Sequence, residues 1–242
     1  MSEVLLSPPD SVVADMPEMD HIVTEDDTPV DNVFSEKQQR LLVEPLYSSW
    51  QPGRPFFAAA NVGIFYAVRQ PPLVPDMFLS LDVQPDEDIR RKENRSYFLW
   101  KFGKPPEVVV EVVSNKEGGE LSRKLRLYAR IGVWYYVVFN PEQCVQESIL
   151  RVYGLSIARY FPQQDLDLNE VCLKLTIWDG VFEGLRAQWL RWVDADGNLL
   201  LTGMERVAQE HQQFEQERQR AERLAKQLRA LGIEPEHDQG IA

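Results

Sequence analysis

Apolar and polar positions change in short blocks along the middle of the chain, and each block predicts a helix or a strand. The stretch "FSEKQQRLLVEPLY" predicts a first helix that begins with a capping box of Ser35 and Gln38 and ends at Pro45. "PFFAAANVGIFYAV" then predicts a strand. "VPDMFLSLDV" alternates as a second strand does, with one face made by Met77, Leu79, Leu81 and Val83 and the other by Asp76, Phe78, Ser80 and Asp82.

The centre of the chain predicts a parallel crossover. "PPEVVVEVVSNK" indicates a buried strand, "GGELSRKLRLYARIG" a helix that ends at Gly132, and "VWYYVVFNP" a second buried strand. Strand, helix and strand with short links favour a right-handed parallel unit, which is typical of the α/β class. Further strands and hairpins follow in "ILRVYGL", "RYFPQQ", "LKLTIWDG" and "LRWVDADGNLLLTG", where "DADGN" is a turn.

Two charged residues interrupt these apolar patterns. Glu111 lies within a run of valines, where an isolated ionised carboxylate costs several kcal/mol or has a raised pKa. On a helical wheel Lys124 falls inside the apolar arc between Leu121 and Tyr128, whereas Arg123, Arg126 and Arg130 fall on the opposite, solvated side. A buried ion pair between Glu111 and Lys124 would satisfy both residues, and so would a shared metal ion or phosphate.

A third charged residue, Asp76, stands at the start of the preceding strand. Carboxylates on neighbouring strands can hold a hard divalent cation through oxygen ligands, with waters completing the shell. A lysine beside that cation can act on the attacking water and stabilise developing charge. The three residues therefore form a minimal set for metal-dependent phosphodiester hydrolysis. Structural alternatives stay open: a turn for Asp76, an ion pair for Glu111 and a lysine stem lying on apolar surface.

At these residues the sequence resembles the Uma-type family of restriction-endonuclease-like proteins, a branch of the PD-(D/E)xK nuclease superfamily. The resemblance rests on "VPD", "PPEVVVEVVSNK" and "KLRLYARIGVWYYVVFNP", and it covers about residues 32 to 200. It implies a mixed central sheet flanked by helices and a Mg²⁺-dependent endonuclease site, with Mn²⁺ as an alternative ion. By position, Asp76 and Glu111 would be the catalytic acids and metal ligands, the main-chain carbonyl of Val112 a further ligand, and Lys124 the catalytic lysine.

The sequence departs from the family pattern at three positions. The superfamily lysine expected two residues after the acid is Val113 here, and the resemblance implies that Lys124 replaces it. The branch usually has an acid and an aromatic residue where Tyr135 and Tyr136 stand, and often Asp where Asn140 stands. These departures favour a second hypothesis, a non-catalytic scaffold or nucleic-acid-binding module that has kept the nuclease fold.

A basic stretch between the two acid-bearing strands predicts contact with DNA. Tyr97, Phe98 and Trp100 are interleaved with the basic residues, and six phosphate contacts would make binding strongly salt-dependent. The alternative is a solubilising loop whose aromatic residues cover the core. The six candidates are Arg90, Arg91, Lys92, Arg95, Lys101 and Lys104.

The C-terminal segment predicts a long helix over residues 204–232. Its apolar positions follow a short heptad pattern that Glu210 and Glu217 interrupt, so it either packs back on its own domain or forms a homodimeric coiled coil. The heptad positions are Val207, Phe214, Ala221 and Leu228, with Leu224 and Leu231 at the intermediate position.

Composition changes this interpretation only a little. The net charge of −12 argues against a polyanionic partner, but residues 1–30 contain eight acidic residues and no Lys or Arg, and residues 31–200 are close to neutral. Cys144 and Cys172 have no disulfide or metal spacing, which favours buried thiols in a reducing compartment. All three histidines lie outside the candidate site, which argues against a histidine-based nucleophilic triad.

We therefore expect a cytoplasmic α/β protein with four parts. Residues 1–31 form an acidic, disordered leader, residues 32–203 a restriction-endonuclease-like domain, residues 204–232 a helix and residues 233–242 a flexible tail. No apolar run is long enough for a membrane span, and the start of the chain lacks the pattern of a signal peptide. The expected activity is that of a DNA endonuclease, and the alternative is the scaffold.

Overall fold

A six-stranded mixed sheet forms the centre of the structure, a computed structural model that describes residues 32–113, 123–143 and 148–232. Strands β5 and β6 are parallel and are joined through helix α3 (Leu125–Ile131), as the crossover pattern predicts, and the other neighbouring strands of the sheet are antiparallel. In spatial order the strands are β1 (Phe56–Ala59), β3 (Met77–Leu81), β5 (Val108–Val112), β6 (Tyr135–Phe139), β7 (Leu150–Ser156) and β8 (Arg159–Pro162).

Both faces of this sheet are covered, which explains why β5 and β6 are almost continuously apolar. One face packs against helix α1 (Val33–Ser49) and a three-stranded sheet of β9 (Asp167–Leu168), β10 (Leu173–Phe182) and β11 (Leu185–Val193). The other face packs against α3 and against a segment that contains β2 (Ile64–Phe65), β4 (Tyr97–Phe98) and α2 (Leu99–Phe102). The protein is thus a mixed α/β fold with helices on both sides of its central sheet.

Helix α1 differs from its prediction at both ends. Asn32 is the N-cap, and its side chain accepts the Ser35 N–H, so the predicted capping box of Ser35 and Gln38 is wrong. Gln38 is instead buried and exchanges hydrogen bonds with the backbone of Leu190. Pro45 does not end the helix, which continues to Ser49, because Leu46 and its neighbours are held against the sheet.

The strand predictions also need three corrections. "PFFAAANVGIFYAV" makes two separate strands, β1 and β2. Met77, Leu79 and Leu81 do share one face, but Val83 packs in the opposite core because Asp82, with a φ of 55°, turns the chain at the end of β3. Cys172 is exposed, so the prediction of a buried thiol is wrong there. Cys144, the leader and the tail lie outside the described residues.

Helix α4 (Gly203–Ala230) begins with a capping box in which Thr202 accepts the Glu205 N–H and Glu205 accepts the Thr202 N–H. Its first turn is held by Glu44, which accepts the Gly203 N–H, and by an ion pair from Arg191 to Glu205. None of its residues, all of which the structure describes, is buried, and Phe214 is 63% exposed. The predicted heptad seam therefore does not pack back on this domain. Among the described residues, no helix is long and apolar enough to cross a membrane.

Candidate active site

Asp76 and Glu111 lie opposite each other at one end of neighbouring strands. In the antiparallel pairing of β3 and β5, Met77 is opposite Val110, so the same register places Asp76 opposite Glu111. Opposite residues of antiparallel strands project from the same face with their Cβ atoms about 5 Å apart. The structure therefore brings together the two acids that are 35 positions apart in the sequence.

The Glu111 side chain, only 1% exposed, is held by a lysine and a tyrosine. Lys124 Nζ donates to Glu111 Oε2 at 2.7 Å, and the Tyr128 hydroxyl donates to Oε1 at 3.0 Å. The Lys124 side chain is 31% exposed, so its amine lies at the boundary between the core and solvent. Glu111, which interrupts an apolar strand, and Lys124, which interrupts the apolar arc predicted for the helix, are thus partners.

Electrostatics make this carboxyl unusual. The pKa of Glu111 is raised to about 8, mainly by burial; the nearby charge of Asp76 also raises it, and the Lys124 ammonium opposes both. Burial also raises the pKa of Tyr128 well above its usual value, and the adjacent Glu111 adds to that rise. The Tyr128 hydroxyl therefore keeps its proton at neutral pH and remains a hydrogen-bond donor to Glu111.

The Asp76 carboxylate is held from two other directions. Its Oδ2 accepts the Val112 N–H at 2.7 Å, and its Oδ1 accepts Gln39 Nε2 at 2.7 Å. Gln39 belongs to α1, and its own Oε1 accepts Asn61 Nδ2 at 2.8 Å. Sequence reasoning missed both Gln39 and Asn61. A signal existed for Gln39, because its position three and seven residues before Leu42 and Leu46 places a polar side chain on the buried face of the helix.

Two acidic residues of helix α1, Glu36 and Glu44, are engaged in other contacts. Glu36 pairs with Arg40 on the surface, and Glu44 accepts a hydrogen bond from α4. Among the described residues, no cluster of three or more His, Cys, Asp or Glu side chains could hold a metal ion.

The oxygen donors at this end of the sheet fit a hard divalent cation. Mg²⁺ in proteins is usually bound by one or two carboxylates and keeps several waters, so two acids are enough. A carboxylate has about four acceptor positions and can share them between hydrogen bonds and a cation. The Val112 carbonyl points to the same side of the strand as its N–H, which donates to Asp76. Asp76, Glu111 and Val112 could therefore hold such an ion together.

The family departures fall in different places relative to this site. Tyr135 pairs with Val108 at the opposite end of β5 and packs in the core that contains α1, so the acid lost there is not next to Glu111. Tyr136 packs against Tyr128, with ring centroids 5.3 Å apart and ring planes tilted by 32°. Asn140 is buried directly after β6, at the same end of the sheet as Glu111.

The structure does not bring all six predicted basic residues to the carboxylates. Lys104 forms an ion pair with the buried Glu107, just before β5, which is four residues or about 13 Å along the strand from Glu111. Arg90 and Arg91 contact Asp88, and Arg95 donates to backbone carbonyls of its own loop. Lys101 donates to Asn94. Lys92 lies in a short 3₁₀ turn, Lys92–Asn94. Asp88 and Glu107, which flank the basic stretch on either side, thus offset part of its positive charge.

Comparison with known proteins adds a family and a structural relative. The model of the family described as "Uma2: Putative restriction endonuclease" matches residues 25–177, a range that contains Asp76, Glu111 and Lys124. A search of curated proteins gives no match. One similar solved structure is described as a "putative nuclease belonging to DUF820 from Anabaena variabilis ATCC 29413". It is 16% identical, with a TM-score of 0.39, and the match covers 57% of this chain and 72% of that chain.

Proposed function

Because the chain belongs to the Uma2 family of restriction-endonuclease-like proteins, we propose that it is a metal-dependent endonuclease that hydrolyses DNA phosphodiester bonds. The observation that supports this most strongly is the meeting of Asp76, Glu111 and Lys124 at one end of β3 and β5. Two acids and a base from separate parts of the chain share one small region, as the chemistry requires.

The residues at this site have separate roles in the proposal. The carboxylates of Asp76 and Glu111, with the Val112 carbonyl, would hold Mg²⁺ or Mn²⁺. A bound ion of this kind lowers the pKa of a coordinated water and neutralises charge on the phosphate. Tyr128 holds one oxygen of Glu111, and the Val112 N–H holds one oxygen of Asp76. The acids are thus oriented before substrate arrives.

Lys124 is the residue proposed to contact the reacting phosphate. Its amine is partly exposed and contacts Glu111 at 2.7 Å, so it can also donate to a phosphate oxygen from the solvent side. In hydrolysis a water oxygen bonds to phosphorus while the opposite P–O bond breaks, and negative charge increases on the other phosphate oxygens. A lysine ammonium at this position would stabilise that charge and orient the water.

DNA is the proposed substrate, and the basic stretch is its proposed contact surface. Arg90 is 89% exposed in its side chain and Arg91 68%, so both guanidinium groups can reach phosphates even though each contacts Asp88. Lys92, Arg95 and Lys101 belong to the same segment. Lys104 contributes least to this surface, because Glu107 and the Leu81 carbonyl already hold its amine.

Nicking of supercoiled plasmid tests the proposal directly. We expect the full chain to convert supercoiled DNA to nicked DNA in Mg²⁺ or Mn²⁺ and to stop when EDTA removes the ion. Calorimetric titration with each ion, with and without a DNA duplex, should show one bound ion per active site. Absence of both cleavage and metal binding would contradict the nuclease assignment.

One observation favours the scaffold as the second candidate. The Glu111–Lys124 pair, buried on its Glu111 side and completed by Tyr128, already satisfies the charge of Glu111 without a metal. Buried pairs of this kind can serve specificity of folding alone. A protein that binds DNA with strong salt dependence but neither binds Mg²⁺ nor cleaves would support the scaffold.

Helix α4 is the proposed site of pairing with a second copy of the chain. Its apolar heptad positions stay in solvent in the single chain, with Val207 64%, Phe214 63% and Leu224 50% exposed. Sedimentation of the full chain should therefore give a dimer mass, and Phe214→Glu should shift it to the monomer. A monomeric native chain at tens of micromolar would contradict this pairing.

A further inference from the structure

The side-chain amides of Asn61 and Gln39 form two consecutive hydrogen bonds that lead to the carboxylate of Asp76. Asn61 Nδ2 donates to Gln39 Oε1 at 2.8 Å, and Gln39 Nε2 donates to Asp76 Oδ1 at 2.7 Å. Gln39 is 5% exposed and Asn61 lies at the surface, so water competes little at the Gln39 end of these bonds. Gln39 belongs to helix α1, Asn61 lies in the loop after β1, and Asp76 directly precedes β3.

The position of Asn61, from which these hydrogen bonds begin, is itself fixed by its backbone. Asn61 has a φ of 53°, a left-handed conformation that Asn tolerates better than most residues, and its N–H lies 3.4 Å from the Asp76 carbonyl. Because Asn61 Nδ2 donates to Gln39 Oε1, the Gln39 amide is oriented with its nitrogen towards Asp76. The orientation of this amide is thus determined by the bonds on both of its sides.

We propose that Gln39 is a positioning residue that holds the Asp76 carboxylate in its ion-binding orientation, with Asn61 fixing the Gln39 amide. This inference rests on the proposed function and extends it to two residues outside the acid–base set. With the Val112 N–H on Oδ2 and Gln39 on Oδ1, both oxygens are anchored, and rotation of the carboxylate would break one of two part-buried hydrogen bonds. The remaining acceptor positions can then face the region shared with Glu111.

The neutrality of Gln39 matters as much as its hydrogen bond. An amide donates to Asp76 without adding charge, whereas an acid at this position would add a third negative group beside Asp76 and Glu111. The pair of acids with Lys124 has a net charge of about −1 when both acids are ionised, which a divalent cation converts to about +1. The site would in that state favour an anionic phosphate as its next ligand.

Titration calorimetry of the full chain with MnCl₂ tests the inference, and adjacent glutamines provide the control. Gln39→Met keeps the length of the side chain but removes the donor to Asp76, and we expect the Kd for Mn²⁺ to rise about 10- to 100-fold, as for other outer-shell ligands. Gln38→Met removes two buried hydrogen bonds from the same turn of α1, with the backbone of Leu190, and should leave the Kd unchanged. These bonds are more deeply buried than the one from Gln39 to Asp76, so Gln38→Met should lower the unfolding midpoint at least as much as Gln39→Met does.

Asn61→Gly gives a second, independent test. Glycine accepts the left-handed φ without strain, so this variant removes only the amide that orients Gln39, and we expect a smaller rise in Kd. If Gln39→Met does not fold, the Kd of Asn61→Gly for Mn²⁺ tests the positioning role instead. In cleavage assays both variants should need more Mn²⁺ for half-maximal rate while keeping a near-native rate at saturation.

The outcomes separate this inference from the proposed function. If the native chain binds Mn²⁺ and Gln39→Met and Asn61→Gly bind it equally well, the positioning role is wrong and the nuclease site stands. If Gln38→Met weakens binding as much as Gln39→Met, the effect is general loosening of α1, and the positioning role is again wrong. If the native chain binds no Mn²⁺, both the inference and the proposed function are contradicted.

Discussion

Glu111→Gln is expected to lower the rate of Mg²⁺-dependent DNA nicking by roughly 10³-fold, or about 4 kcal/mol of barrier. The substitution keeps the shape of the side chain and can still accept from Tyr128, but it removes the negative charge that would bind the ion. Because Glu111 is buried opposite Asp76, the variant would leave Asp76 as the single carboxylate of this pair at the proposed ion site. Initial rates of plasmid nicking in single turnover measure the effect.

Glu107→Gln is a closely matched control for that substitution. Glu107 precedes β5 by one residue, is also buried and also pairs with a lysine, Lys104, but it lies at the other end of the strand. Its replacement should leave the nicking rate near the native value. Equal rates for native protein and Glu111→Gln would contradict the assignment of the site, whichever variant is more stable.

The fold of Glu111→Gln should remain intact. Burial raises the pKa of this carboxyl to about 8, so the ionised form is disfavoured in the folded protein compared with the unfolded chain. The unfolding free energy of the native protein therefore falls as pH rises from about 4.5 through 8, and a neutral amide removes that loss. Thermal unfolding at pH 6 and pH 8 measures it, with the variant losing less stability than the native protein over that interval.

Glu205→Ala is expected to destabilise the folded protein by about 3 kcal/mol, the second large effect. Arg191 is 1% exposed in its side chain and donates to both oxygens of Glu205 at 2.7 and 2.6 Å. Removal of Glu205 leaves this guanidinium buried beside Trp178 and the Leu200 carbonyl without a counter-charge. It also removes one half of the capping box at Thr202. Urea unfolding measures the loss.

The acid dependence of stability gives a second readout at this ion pair. Burial raises the pKa of Glu205, but hydrogen bonds from Arg191 and from the Thr202 N–H outweigh it, and the pKa lies below its usual value. The stabilisation is thus present above the unfolded pKa of about 4.3 and is lost as pH falls through the lower folded value. Glu205→Ala should not show this part of the acid dependence.

Glu210→Ala on the next turn of α4 is the control. Its contact with Arg206 is 3.6 Å long and both side chains are about half exposed or more, so its removal should cost less than about 0.5 kcal/mol. Similar losses for Glu205→Ala and Glu210→Ala would mean that the Arg191 ion pair does not anchor the helix.

Two of the three catalytic candidates could be found from sequence because each breaks a local pattern. Glu111 interrupts a run of valines, and Lys124 interrupts the apolar arc of a helix, so both are visible within a window of ten residues. Their ion pair follows from the cost of burying either charge alone. The parallel arrangement of β5 and β6 could be inferred in the same way, from the helix between two almost continuously apolar strands.

The supporting residues could not be found in that way. Gln39 and Asp76 are 37 positions apart, and their hydrogen bond depends on how α1 lies across the end of the sheet. The sequence pattern predicts that Gln38 caps its own helix, but its hydrogen-bond partner is Leu190, 152 positions away. Rules based on sequence pair a polar side chain with the nearest backbone group, whereas the packing of α1 brings Gln38 against β11.

The sequence by itself determined the order and type of the main elements, the buried acid and base that need each other, and the start of the last helix. These are set by the identities of near neighbours, through strand alternation, the helical period and the cost of an isolated buried charge. Only the tertiary structure decided that Asp76 lies opposite Glu111, that Gln39 supports it, and that the heptad face of α4 stays in solvent. Register and interhelix packing depend on the fit of distant surfaces, because burial is a property of the whole fold.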